Sequence, residues 1–157
     1  MSNVIEALEE RGLIEACTSP DLKELTKKPM KLYCGFDPTS DSLHVGNMVG
    51  IICLAHFQRF GHTPVVVLGG ATGMIGDPSG KSVERNLLDE EQLKKNIAGI
   101  ERDLHPILKL RPDLAAPLFV NNLDWFNSFS FIQFLRDVGK PFRVSAMLAK
   151  ETVKARL

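Results

Sequence analysis

The sequence predicts an α/β fold built on a doubly wound parallel sheet, and three observations support this. Residues 63–68 form an apolar, β-branched run, which is typical of a strand buried in a parallel sheet. Residues 31–36 predict another strand, and the segment between the two has the apolar spacing of a helix. Residues 31–69 therefore make one strand–helix–strand unit, with a right-handed crossover as its default connection.

The first thirty residues are expected to form a separate helical segment. Asn3 can cap a first helix that Gly12 ends. Ser19-Pro20 opens a second short helix, since serine suits the cap and proline suits the first turn. We therefore divide the chain into an N-terminal helical segment, residues 1–30, and the first part of a larger α/β domain, residues 31–157.

The connection after the first predicted strand is polar and leads into a helix. Residues 37–42 predict a turn, and the helix extends from about Leu43 to Phe60. The residues expected on its inner face are Met48, Ile51, Ile52 and Ala55. The next strand is followed by residues 69–87, which predict a long glycine-rich loop. Loops of this length inside a compact domain are usually functional or disordered.

Another helix and another strand follow this loop. Asp89 and the two acids after it open an amphipathic helix, because acidic groups suit the positive end of the helix dipole. The apolar residues of its inner face are Leu93, Ile97, Ile100 and Leu104. Pro106 is expected to kink or end this helix. Residues 118–121 then predict a further strand.

Two more helices are predicted before the chain ends. Ser128 or Ser130 can cap a helix that extends through Val138. Ser145 starts a last helix that is still running at Leu157, with no glycine or proline stop after it. We therefore expect the domain to be truncated at this point.

Composition limits the possible class of protein. The chain has 157 residues, of which 44% are hydrophobic and 24% charged, as in soluble globular domains. Its net charge of zero argues against a surface dominated by phosphate contacts. The three cysteines are odd in number and lack metal-ligand spacing, which argues against a disulfide framework or zinc site and favours a reducing compartment. No apolar run approaches the roughly 20 residues needed to span a bilayer.

The junction between the first strand and its helix is the best candidate for a binding site. Ligands of open α/β sheets bind beyond the carboxyl ends of the strands, and helix N-termini attract phosphate. His44 and Asn47 are three residues apart, so they share a face of the first helical turn. Gly46 lies between them without a side chain, which allows a flat ligand to approach the backbone.

This junction resembles the His-x-Gly-His signature of the class I aminoacyl-tRNA synthetases. Four longer blocks resemble the bacterial-type tyrosyl-tRNA synthetases: residues 32–39, 69–81, 121–125 and 134–140. The signature alone is weak, but four blocks in order are specific, and the resemblance covers nearly the whole chain. The resemblance implies a Rossmann-like doubly wound sheet, with residues 31–157 as the first part of the catalytic domain.

The chain departs from that family's pattern in two respects. Asn47 stands where the signature has its last histidine, and an asparagine amide can still donate a hydrogen bond to a sugar oxygen. The family's tyrosine-binding Tyr-x-x-x-Gln helix, its Lys-Met-Ser-Lys-Ser-type loop and its anticodon-binding region are all absent from these residues.

The resemblance implies an enzyme, a tyrosine–tRNA ligase, that joins tyrosine to ATP and then passes the tyrosyl group to its tRNA. The implied catalytic residues are Thr39, His44, Asn47, Lys81 and Arg85. The implied ATP-binding residues are Cys34, Gly35, Asp37, Pro38, Thr39, His44, Gly46 and Asn47. Threonine and histidine would donate to the terminal phosphate, asparagine and cysteine would touch the ribose, and the two cations would clamp the leaving pyrophosphate. Magnesium would arrive with ATP, so no dedicated metal site or tightly bound cofactor is expected.

The same resemblance implies a tyrosine pocket and a set of partners. Tyr33 would hydrogen-bond the substrate hydroxyl, Asp77 would bind the ammonium group, and Thr72 and Asn122 would line or support the pocket. The tRNA would bind mainly through absent regions, and the family forms homodimers through a segment that corresponds to residues 131–144. No membrane or DNA partner is expected, and the compartment is the cytoplasm, or an organelle matrix after removal of a transit peptide.

Simpler interpretations compete with these roles. His44 could be a surface cap, Tyr33 and Cys34 could be packing residues, and Asp77 could cap an ordinary turn. Residues 76–82 mimic a phosphate-binding P-loop but have one residue too few between the glycines, so we reject that interpretation.

Two other functions remain open at the level of sequence. One is a nucleotidyltransferase that uses the same type of signature helix; the other is a truncated module that binds a nucleotide without turnover. We expect weak or no tyrosine activation by these 157 residues alone, because the pocket needs the absent half.

Overall fold

The computed structural model describes residues 3–75, 88–109 and 112–154. The elements are α1 (Val4–Glu10), α2 (Leu22–Leu25), β1 (Lys31–Phe36), α3 (Met48–Arg59), β2 (Thr63–Leu68), α4 (Gly70–Ile75), α5 (Glu90–Leu108), β3 (Leu118–Asn121), α6 (Leu123–Phe126), α7 (Phe131–Phe134), α8 (Val144–Leu148) and α9 (Glu151–Lys154). A 3₁₀ turn, Val45–Asn47, precedes α3, and a π-helical turn, Leu135–Gly139, continues α7. All three predicted strands are confirmed.

The three strands form a parallel sheet in the order β1-β2-β3. Tyr33 pairs with Val65, and Val65 pairs with Leu118, so these three residues lie on one face. The strand–helix–strand unit predicted from residues 31–69 is thus present. The carboxyl ends of all three strands meet at one edge of the sheet.

The main hydrophobic core lies on the other face of the sheet. Its buried members come from β1, β2, α3 and α5: Phe36, Ile51, Leu54, Val66, Leu68, Ile100, Leu104 and Leu108. The face that carries Tyr33 has no such layer among the described residues, and Tyr33 itself is 76% exposed. The described part of the chain is therefore a parallel sheet with one helical layer complete.

The N-terminal segment packs against the side of α3 that does not contact the sheet. Val4, Ile5 and Leu8 are buried, as predicted, and a reciprocal capping box with Glu6 confirms Asn3 as the cap of α1. The prediction for α2 needs a correction, because Asp21, not Ser19, occupies its cap position. The Ser19 hydroxyl instead accepts a hydrogen bond from the Asp21 N–H, which stabilises the turn before the helix.

The helix predicted from Leu43 begins later than expected. A 3₁₀ turn occupies residues 45–47, and the regular helix starts at Met48. The predicted inner face was also partly wrong, since Ile51 is buried but Ile52 is 37% exposed. The reason is that α3 packs on two sides, against the sheet through Leu54 and against α1 through other residues.

The prediction of a loop over residues 69–87 is wrong in its first part. Residues 70–75 form α4, and residues 76–87 lie outside the described residues. A Cβ added to Gly69 would collide with the Asp37 carboxylate, and one added to Gly70 would collide with the Asn121 amide. Here the glycines allow close packing of a helix against two strand ends rather than a flexible loop.

The helix ends of the second half also differ from expectation. α5 continues past Pro106 to Leu108, so the proline lies inside its last turn. Ser130 caps α7, which confirms one of the two predicted caps. The last predicted helix is two short helices, because α8 starts at Val144 and ends before α9 begins at Glu151. No helix of the described residues is long and apolar enough to cross a membrane.

Candidate functional site

The candidate site lies at the edge of the sheet where the three strands end. Asp37 directly follows β1, Gly69 directly follows β2, and Asn122 directly follows β3. The backbone N–H of Asn122 donates to the Leu68 carbonyl at 3.0 Å, which draws the end of β3 against the end of β2. This edge is where open α/β sheets bind their ligands.

A hydrogen-bonded series of side chains joins the three strand ends. The Asn122 amide donates to the Thr72 hydroxyl at 3.3 Å, and that hydroxyl donates to the Asp37 carboxylate at 3.0 Å. The other amide atom of Asn122 accepts from the Ala71 N–H at 2.6 Å, which fixes its orientation. Three residues that sequence patterns assigned to two different subsites are therefore one structural unit.

His44 and Asn47 cap the 3₁₀ turn reciprocally. The Gly46 N–H donates to His44 Nδ1 at 3.1 Å, and the His44 N–H donates to Asn47 Oδ1 at 3.1 Å. An Nδ1 that accepts a hydrogen bond carries no proton, so the neutral ring has its proton on Nε2. The Asn47 side chain accepts through its Oδ1, so its NH₂ group can donate to another partner. The turn thus presents two N–H donors, on an exposed histidine and a half-buried asparagine.

Two glycines in and directly after this turn are packed too closely to carry a side chain. A Cβ on Gly46 would lie 2.9 Å from the His44 ring, so any side chain there would displace the imidazole. A Cβ on Gly50 would lie 3.0 Å from the Cys34 sulfur. Burial, and then the neighbouring Cys53, raises the pKa of the Cys34 thiol. Cys34 is therefore a neutral hydrogen-bonding group rather than a reactive thiolate.

Tyr33 lies on the uncovered face of the sheet, one residue before Cys34 on β1. It lines an open hollow of about 400 Å³ together with Lys31, Leu32, Val65, Val67 and Trp125. The walls are mostly apolar, which suits an aromatic ring, and the Tyr33 hydroxyl supplies a polar group. Trp125, on α6, is part of this wall.

Two groups of the predicted site residues are each joined by hydrogen bonds, and three predicted residues lie outside the described part of the chain. Asp37 and Asn122 are both hydrogen-bonded to Thr72, and His44, Gly46 and Asn47 share the capped turn. The other described members lie on β1 or in the connection after it: Tyr33, Cys34, Gly35, Pro38 and Thr39. Asp77, Lys81 and Arg85 lie outside the described residues. Among the side chains that the structure describes, no cluster of three could hold a metal ion.

Sequence reasoning missed the residues that hold the loop after β1 in place. Asn96 is buried and donates to the Pro38 carbonyl at 2.9 Å, and Asp103 accepts from the Leu43 N–H at 3.2 Å. Both lie on α5, which the sequence analysis treated only through its apolar stripe. The sequence did carry a signal for this second face of α5. Each residue of the apolar stripe is preceded by one with the same spacing of four, three and four residues: Gln92, Asn96, Gly99 and Asp103.

A parallel sheet with a glycine-containing histidine turn at its carboxyl edge matches the fold of the class I synthetases. Residues 25–157 match the family described as tRNA synthetases class I (W and Y). The chain belongs to this family.

Relatives and solved structures agree with that assignment. A tyrosine–tRNA ligase of Protochlamydia amoebophila is 60% identical over 157 residues, which are 100% of this chain and 37% of that protein. The chloroplastic/mitochondrial tyrosine–tRNA ligase of Arabidopsis thaliana is 49% identical over 99% of this chain and 31% of its own length. A C-terminally truncated mitochondrial tyrosyl-tRNA synthetase of Aspergillus nidulans superposes with a TM-score of 0.86, at 32% identity, over 99% of this chain and 47% of that one. The chain therefore spans 37% and 31% of the two relatives and just under half of the truncated solved chain.

Proposed function

We propose that this chain is part of a tyrosine–tRNA ligase, and that its site binds ATP and tyrosine for the formation of tyrosyl-adenylate. The observation that carries the proposal is the reciprocal cap of His44 and Asn47, which engages one acceptor of each side chain and leaves the imidazole Nε2–H and the amide NH₂ as donors for a ligand. The names of the relatives support tyrosine as the amino acid. Transfer of the tyrosyl group to tRNA would complete the reaction.

The proposed first step needs no nucleophile from the protein. A carboxylate oxygen of tyrosine attacks the α-phosphorus of ATP, a new P–O bond forms, and the bond to the pyrophosphate oxygen breaks with its electron pair. Positioned hydrogen-bond donors that meet the charge as it develops accelerate such a step. His44 Nε2–H and the Thr39 hydroxyl would contact the terminal phosphate, and Asn47 and Cys34 would contact the ribose. Magnesium would travel with ATP.

The proposed tyrosine pocket is the hollow beside Tyr33. The substrate ring would lie on the apolar wall of Val65 and Val67, and the Tyr33 hydroxyl would pair with the substrate hydroxyl. A site built to bind a hydroxyl discriminates against phenylalanine, because a buried polar group would be left unpaired. Thr72 and Asn122, which are hydrogen-bonded to each other at the strand ends, would line or support this pocket. Asp77 is proposed for the ammonium group, and Lys81 and Arg85 for the pyrophosphate.

A homodimer is the proposed assembly. Large apolar side chains in the second half of the chain are exposed, among them Phe131, Ile132, Leu135, Phe142, Val144 and Met147. Exposed apolar side chains in this number are typical of a surface that contacts other protein. We place the enzyme in the cytoplasm, and the relatives include an organellar form.

A thermal-shift experiment on this chain tests the proposed site. A non-hydrolysable tyrosyl-adenylate, ATP alone, and the phenylalanyl and tryptophanyl adenylates are compared on the wild type and on His44→Ala. A ligand that binds only the folded state raises the melting temperature. We expect the largest shift for the tyrosyl compound and a smaller one in the variant.

Other outcomes separate the alternatives. Equal shifts for all three adenylates would contradict tyrosine selectivity within these residues, and a folded chain that shifts with none would contradict the binding site itself. Tyrosine-dependent ATP–pyrophosphate exchange at the rate of a full-length relative would contradict the expectation that this chain binds without turning over.

A further inference from the structure

One face of α5 carries a polar stripe that runs beside its apolar stripe. The stripe consists of Gln92, Asn96, Gly99 and Asp103, spaced by four, three and four residues, so they lie in line along the helix. Among the apolar residues one position later, Ile97, Ile100 and Leu104 pack in the core of the sheet. The polar stripe instead faces the loop of residues 37–43, which leads from β1 to the capped turn of His44.

Asn96 is the most enclosed member of this stripe. Its side chain is only 2% exposed, and its Nδ2 donates to the Pro38 carbonyl at 2.9 Å. Its Oδ1 accepts from Gln92 Nε2 at 2.7 Å, which fixes the orientation of the amide. A buried asparagine with both ends paired holds its partner carbonyl in one position, since an unpaired carbonyl there would be costly.

The rest of the stripe holds the remainder of the loop. A Cβ on Gly99 would collide with the Asp41 backbone carbonyl, so helix and loop are in backbone contact there. Asp103 Oδ2 accepts from the Leu43 N–H at 3.2 Å, next to His44. Most side chains of the loop itself are exposed, so α5 supplies the main buried support.

We propose that Asn96 is a positioning residue for the nucleotide site: it fixes the peptide between Pro38 and Thr39 and so aims the Thr39 hydroxyl. This inference rests on the proposed function. Rotation of that peptide would move Thr39, because its backbone begins at the carbonyl that Asn96 holds. In the same way, Asp103 fixes the Leu43 N–H and so positions the backbone directly before His44.

A matched control is available on α3, where a side chain contacts the far end of α5. Gln58 is also a buried amide that donates to two backbone carbonyls, those of Leu108 at 2.8 Å and Ala115 at 2.7 Å. Leu108 is twelve residues beyond Asn96, or roughly 18 Å along a helix. Gln58→Ala should therefore destabilise the fold without reaching the loop.

Amide hydrogen exchange on this chain tests the structural half of the proposal. In Asn96→Ala, we expect the Thr39 and Leu43 amides to exchange about tenfold faster than in the wild type, while those of β2 change no more than in Gln58→Ala. Equal changes across the whole chain in both variants would overturn the proposal. If Asn96→Ala does not fold, Asp103→Ala takes its place for the Leu43 amide, and Asp103→Asn, which still accepts the N–H, should restore slow exchange.

A double-mutant cycle with Thr39→Ala tests the functional half. The probe is the non-hydrolysable tyrosyl-adenylate, and its Kd is measured by calorimetry on this chain. We expect Asn96→Ala to weaken binding about tenfold in the wild-type background and less than twofold in Thr39→Ala, because the positioned group is gone. Equal effects in both backgrounds would overturn the positioning role. Failure of the wild-type chain to bind the probe would count against the proposed function, while the exchange result would still decide the role of Asn96 in the loop.

Discussion

The hydroxyl of Thr72 donates a hydrogen bond of 3.0 Å to the carboxylate of Asp37, so the first turn after β2 is tied to the end of β1. The same hydroxyl accepts from Asn122 at 3.3 Å, which brings in the end of β3. One threonine therefore couples all three strand ends. Its position explains why α4 must start immediately after Gly69, where no side chain can be accommodated.

Replacement of Thr72 by valine should uncouple the strand ends. The isosteric side chain lacks the hydroxyl, so the buried Asn122 amide loses a partner and Asp37 loses a donor. We expect the free energy of unfolding to fall by about 1–2 kcal/mol and the affinity for tyrosyl-adenylate to fall about tenfold. Urea titration and calorimetry measure the two effects. Thr72→Ser keeps the hydroxyl and is the control; if serine is as damaging as valine, the hydroxyl is not the important group.

Asn47 performs two tasks that one substitution can separate. Its Oδ1 accepts the His44 N–H, and its NH₂ group is the donor proposed for the ribose. Asn47→Asp keeps the acceptor but removes the donor, so stability should change by less than about 0.5 kcal/mol. Nucleotide affinity should nevertheless fall at least about tenfold, which calorimetry with ATP or the adenylate would detect. Asn47→Leu, which removes both groups, should lose stability as well as affinity. Unchanged affinity in Asn47→Asp would exclude the asparagine NH₂ as a ligand donor.

The chain should become less stable as the solution becomes acidic. Burial lowers the pKa of His62, and both its ring nitrogens lack a hydrogen-bond partner among the described residues. Burial, followed by the charges of Arg11 and Arg59, lowers the pKa of His56. The unfolded chain then binds more protons than the folded one below the ordinary value of 6.5. The free energy of unfolding should be level above that pH and decrease below it.

Urea titrations between pH 8 and about pH 5 measure this dependence. The His56→Leu/His62→Leu double variant removes both groups and should have a shallower slope below about pH 6.5 than the wild type. An identical slope in the double variant would show that other groups cause the acid sensitivity.

Gln58 should matter for stability and not for the site. Its amide donates to the Leu108 and Ala115 carbonyls, which joins the end of α5 to the segment that leads into β3. We expect Gln58→Ala to lower the free energy of unfolding by roughly 2–3 kcal/mol, because two carbonyls lose their donor. Gln133→Ala, at an exposed position, should change it by less than about 0.5 kcal/mol. A loss in Gln58→Ala no larger than in Gln133→Ala would contradict the assignment.

Local patterns were sufficient to predict the three strands and the starts of α1, α5 and α7. The strand at 63–68 is visible because β-branched apolar residues form a run, and Asn3, Asp89 and Ser130 are visible as caps. Each of these features depends on a few neighbouring residues whose backbone groups need partners. The His44 turn was visible for the same reason, although its 3₁₀ geometry was not.

Tertiary structure decided the features that join distant parts of the chain. The bonds from Thr72 to Asp37, from Ala71 to Asn122 and from Asn96 to Pro38 span 35, 51 and 58 residues, and no local pattern specifies such pairs. They exist because the parallel sheet brings its strand ends to one edge and lays α5 beside the loop there. By itself the sequence determined the three strands, the helices α1 and α5 and the turn that carries the signature, since these follow from nearby residues. The fold alone decided that α4 replaces a loop and that Asn96 holds Pro38, since both depend on packing between elements.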